Sequence, residues 1–141
     1  MEKEFEKFLE SAWELEVCLP AGRQGMKIIF RSKKSGVRGL LDFINKRGRR
    51  HRNLVIFDKI VGRGAALLAV YLRAKEVYGS LGSESAAETL RKYKIKFYFQ
   101  KIIPSILDKN QTDICPIEKL SFNKTPKELY HYLRGRLQIK N

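Results

Sequence analysis

The residues with the strongest chemical character fall in two short runs. The first is DKIVGRG, where Asp58, Lys59, Gly62, Arg63 and Gly64 separate an apolar run from an Ala/Leu-rich one. Backbone N–H groups at a helix start lack partners and the macrodipole is positive there. A glycine-rich helix entrance beside Lys and Arg therefore suits an anionic ligand. The second run is CPIE, a thiol at Cys115 with a carboxylate at Glu118. Lys59, Cys115 and Glu118 are the candidate catalytic residues of a non-metal enzyme, although no His stands beside the cysteine to take its proton. Each run also has a plainer structural reading. Asp58 is a good helix cap, Cys115 a small thiol at a turn into a helix, and Glu118 a first-turn acid facing the helix dipole.

Metal chemistry is poorly supplied. A zinc-bound water needs three soft or imidazole ligands and a base held together, whereas Cys18, Cys115, His51 and His131 occur singly and far apart. No metal and no other cofactor is expected, and both histidines read as surface residues. Two distant cysteines imply no disulfide framework and a reduced, cytoplasmic setting.

Charge is the other strong signal. The 141 residues hold 29 Lys plus Arg against 15 Asp plus Glu, a formal net charge of +14. That excess attracts polyanions: nucleic acid, nucleotides or an anionic membrane surface. It is densest in NKRGRRHRN, residues 45–53, which reads as a solvated loop after a helix. No apolar run approaches the roughly 20 residues that cross a bilayer, so no membrane partner is expected.

The elements that must position these groups follow from periodicity. Phe5, Phe8, Leu9 and Ala12 share one face of an opening helix within residues 1–12. WELEVCL alternates as a half-buried strand, and MKIIFRS is its hairpin partner. The connection, residues 20–25, is longer than usual hairpin loops and reads as a dispensable insertion. A helix with Val37, Leu40, Leu41 and Ile44 on one face stops at Gly48. NLVIFD is a strand covered on both faces, followed by a helix over about 61–74. Strands at KEVYGS and IKFYFQK flank a helix opened by a capping Ser, and a last helix over 125–137 has Thr125 as cap and Pro126 at its first position. In IKFYFQK, Ile95, Phe97 and Phe99 face the core and Tyr98 faces out. Alternating strands and helices after a hairpin predict one α/β domain over 1–141, a three-layer α/β/α sandwich around a mixed five-stranded sheet.

The runs DKIVGRGAALLA, EVYGSLGSESAAETL and IPSILDKNQTDICPIEK, with FRSKKSGVRGLL before them, resemble the domain of unknown function 1893 family. Asp58, Lys59, Val61, Gly62, Ala65, Ala66, Val77, Tyr78, Ser83, Ala86, Cys115, Pro116 and Glu118 carry the likeness, which spans about residues 13 to 120. It implies a fold like that of cytidine deaminases without their zinc motifs, and no established activity. By that likeness, SGVRG and DKIVGRG stand where catalytic deaminases keep their metal ligands, and neither holds a Cys, His or Glu. The candidate ligand-binding set is therefore Ser32, Gly36, Arg38, Asp58, Lys59, Gly62, Arg63 and Ser83, a cationic cradle for a nucleotide or another phosphorylated small molecule. The alternative partner is RNA or another nucleic acid, bound through the basic segment 31–52.

Overall fold

The computed structural model describes residues 2–34, 36–108, 110 and 114–137. The chain runs α1 (Glu2–Glu10), β1 (Leu15–Pro20), a 3-10 turn (Gly22–Gln24), β2 (Met26–Ser32), α2 (Arg38–Arg47), β3 (Val55–Val61), α3 (Arg63–Tyr71), β4 (Glu76–Ser83), α4 (Glu84–Lys92), β5 (Lys96–Ile103), α5 (Pro116–Ser121) and α6 (Pro126–Leu137). Sheet order is β2-β1-β3-β4-β5. β1 is antiparallel to both β2 and β3, while β3, β4 and β5 are mutually parallel. The expected mixed five-stranded sheet is present.

Strand alternation sends neighbouring residues into two cores. Val17, Ile56, Val77 and Phe99 pack against side chains of α2, α3, α4 and α6. Cys18, Val55 and Phe57 turn the other way and meet Phe5 and Phe8 of α1. α1 thus makes the third layer alone. Its return over the sheet changes the reading of β1: Glu16 and Cys18, expected on an open face, are both buried. The Glu16 carboxylate accepts a hydrogen bond from Arg31 Nε at 3.0 Å, and burial pushes the Cys18 thiol up to about 12.

Local signals set the helix ends. Ser83 caps α4, its Oγ accepting from Ala86 N at 3.0 Å. Thr125 and Glu128 bond reciprocally at the start of α6, a capping box. Gly48 closes α2 at φ +67°, where a side chain would be strained. β3 is longer than predicted, running past Asp58 to Val61, and that extension decides how the first chemical run is presented.

Candidate functional site: two helix entrances and an arginine hollow

The α3 entrance is built as the glycines imply, and it already holds an anion. Gly62 is the N-cap and offers no side chain of its own to cap the helix. The Arg63 N–H donates to Glu118 Oε1, and Ile106 N–H donates to Glu118 Oε2 at 3.4 Å. Glu118 is only 3% exposed. The positive helix end is thus met by the chain's own carboxylate, delivered from the first turn of α5. Gly62 permits the approach, since a Cβ there would lie 2.9 Å from Glu118 Oε1. Beside this contact is a hollow of about 70 Å³ lined by Gly36, Gly62, Gly64, Cys115, Ile117 and Glu118 among others. It has room for roughly two waters, not for a nucleotide. Cys115 reaches its rim half-buried and unbridged, with its N–H donating to Ile106 O at 2.8 Å.

Two of the three cations expected there, Lys59 and Arg63, point elsewhere, which corrects the cradle. Lys59 follows Phe57 to the α1 face, where its Nζ donates to Ser11 O at 2.7 Å and lies 4.9 Å from the Phe8 ring centroid. Arg63 is absorbed between α4 and α5: Nε donates to Ser121 O at 3.1 Å and Nη1 to Thr89 Oγ1 at 2.8 Å. Its guanidinium also lies 5.6 Å from the Phe122 ring. Carbonyls at the end of α5 attract it as any helix C-terminus attracts a cation. Arg38 is exposed. Gly36 and Gly62 do share the small hollow. Ser32 is buried, its Oγ accepting from Lys34 N at 3.0 Å, and Ser83 is spent on its cap.

Asp58 is not a helix cap either. It lies inside β3, four residues before the α3 N-cap, and is 4% exposed. Burial holds its carboxyl well above the usual range, against the hydrogen bond from the Ile60 N–H. Among the described residues no group of three or more His, Cys, Asp or Glu side chains could hold a metal ion.

The basic loop, by contrast, closes on itself. Arg49, Arg50, His51, Arg52, Asn53 and Arg73 line a hollow of about 380 Å³ at the end of the molecule where α2 and α3 terminate. Arg49 anchors it: Nε donates to Tyr71 O at 2.8 Å, and the guanidinium sits 4.0 Å from the Tyr71 ring, which stacks on Tyr130 at 4.7 Å. Arg50, Arg52 and Arg73 are exposed, and their side chains make no hydrogen bond or ion pair among the described residues. His51 is half-buried rather than superficial, its ring 6.1 Å from Phe43. Arg73 was missed by the sequence reading. Its signal was position: the residue after a helix that follows β3 returns to the edge where β3 began. Arg73 also takes φ +56° and Asn53 φ +61°, a region that favours glycine.

The fold and these two places define a class: a mixed-sheet α/β domain whose helix entrance is closed by an internal carboxylate and whose opposite end is cationic. The family model of a domain of unknown function, DUF1893 (TM1506), matches residues 19–137, and the chain belongs to that family. It is similar in structure to a DUF1893 family protein (TM1506) from Thermotoga maritima, with a TM-score of 0.83 and 23% identity, over 96% of this chain and 88% of that one. No curated protein matches the chain. Among the described residues no helix is long and apolar enough to cross a membrane.

Proposed function

We propose that this protein binds the phosphate backbone of a nucleic acid, RNA in the first instance, through the arginine hollow. The observation that carries the reading is the set of four arginines around one opening, with no acidic residue in its lining among the described residues. A structural role accounts for part of that charge. Two helix C-termini supply roughly one unit of negative charge between them, and Arg49 answers one of them directly. Arg50, Arg52 and Arg73 remain. The backbone of Arg73 supports the same reading, because a non-glycine residue at positive φ costs on the order of 1 kcal/mol and glycine would stand there more easily. A nucleotide at the helix entrances is the weaker reading, since Glu118 occupies the α3 N-terminus and Lys59 and Arg63 are engaged elsewhere.

The test is the salt dependence of binding to a single-stranded RNA oligomer. Each phosphate contact contributes a slope of about −0.7 in log K against log salt. A triple variant, Arg50→Gln, Arg52→Gln and Arg73→Gly, should bind more weakly and flatten the slope by about 2, with no loss of melting temperature, because it removes neighbouring like charges and the third change relieves strain. An unchanged slope in the variant, or no wild-type binding at about 50 mM salt, sinks the proposal.

A further inference from the structure

The opposite flank carries a second hollow of contrary chemistry. α1 packs Phe5 and Phe8 on β1 and β3, and its cover thins toward β5. Between its flank and β4–β5 lies a space of about 610 Å³ lined by Glu2, Phe5, Glu6, Tyr78, Tyr98 and Gln100 among others, within the range of small-molecule sites, roughly 300–1,000 Å³. Its aromatic walls are set at angles: Phe5 and Tyr78 are 5.5 Å apart at 49°, and Phe5 and Tyr98 are 6.2 Å apart at 87°. Tyr98 is 53% exposed, ring surface left in water on the uncovered part of the sheet.

The rim is acidic in a strongly basic chain. α1 has four glutamates against two lysines. Glu2 and Glu6, one turn apart, are exposed, and their side chains make no hydrogen bond or ion pair among the described residues. Glu76 does not add to them: it accepts from Tyr78 OH at 2.6 Å and faces Lys96 across the strand pair. Aromatic faces attract cations through the ring quadrupole, and cages of such rings take up alkylammonium groups. Two unpaired carboxylates beside the rings add charge of the matching sign.

We propose that this hollow binds a compact organic cation, an alkylammonium whose carbon groups lie on Phe5, Tyr78 and Tyr98 while its charge faces Glu2 and Glu6. The site is separate from the arginine hollow, and neither proposal depends on the other. The probe is choline, with 3,3-dimethyl-1-butanol as its uncharged isostere, titrated into the full chain while ring signals of Phe5, Tyr78 and Tyr98 are followed by NMR. Choline should shift all three saturably, and the isostere should bind at least about fivefold more weakly, the margin that cation–π contact and an adjacent carboxylate supply at a half-open site. Glu6→Gln should weaken choline and leave the isostere unchanged. Tyr98→Ala, at an exposed position that the fold does not need, should weaken both. Equal affinity for the two probes, no saturable shift, or full choline binding by Tyr98→Ala would overturn the site. Signals that move with protein concentration alone, and that choline reverses, would keep the cation site and name a lysine of a second copy as its source.

Discussion

Asp58 has a pH signature that follows from its place in β3. Its carboxyl lies among buried groups, so desolvation raises its folded-state pKa, and the Ile60 N–H recovers only part of the cost of charging it. A folded-state pKa above the unfolded one means that the native chain holds the proton more tightly. The stability this contributes is complete below the unfolded carboxyl range near 4 and is lost as pH climbs through the raised value. Asp58→Asn keeps an acceptor for the Ile60 N–H and removes the charge. It should therefore raise the melting temperature at pH 7 by about 2 °C or more, the effect of ~1 kcal/mol in a chain of this size, and change it little at pH 4. Equal shifts at both pH values would show that charge is not the cause. Such a role was only half legible. The type of residue was right for an entrance, but its distance from the helix depended on where β3 stopped. Lys59 failed for the same reason: one more residue of strand puts a side chain on the opposite face. Glu118 was visible as a first-turn acid, yet the helix it serves is α3 rather than its own, a tertiary pairing that local spacing does not encode.

At the scale of elements, the strands and helices were legible because their periods and caps are strong, and Ile95, Phe97 and Phe99 turn inward as alternation required. What alternation concealed was cover. β1 looked half-exposed, and only the return of α1 buries Glu16 and Cys18. Close strand-to-strand fits were concealed as well. Gly82 on β4 lies against the Phe99 ring of β5, and a Cβ there would come within 2.1 Å of a ring carbon. Phe99 has little room to yield, being buried with its ring 4.9 Å from that of Phe97. Gly82→Ala should therefore destabilise the fold by about 1–3 kcal/mol, the usual cost of overpacking. The same change in a Phe99→Leu background should cost much less, because the flexible leucine can move aside. Additive losses measured by urea denaturation would show that the clash is not the mechanism.

Over the whole molecule, the net charge of +14 was readable from composition, but its geography was not. Chain order placed the densest charge in residues 45–53, whereas folding brings Arg73 to the loop after α2 and sets the acidic α1 on the other flank. Concentrated like charge destabilises the compact state through self-repulsion, and added salt relieves it as the screening length falls from about 30 Å at 0.01 M to about 8 Å at 0.15 M. The melting temperature should accordingly rise between those two sodium chloride concentrations. Replacing Arg50, Arg52 and Arg73 removes three neighbouring charges that have no acidic partner among the described residues. The triple variant should thus melt higher than wild type at low salt and gain less from added salt, so the gap between the two curves narrows with screening to the salt-independent gain from Arg73→Gly. This outcome needs no ligand and so tests the electrostatics of the hollow apart from its occupant. A wild-type melting temperature indifferent to salt, or a variant that runs parallel to it, would mean that the arginines are already neutralised by the helix ends and leave no surplus to hold a phosphate.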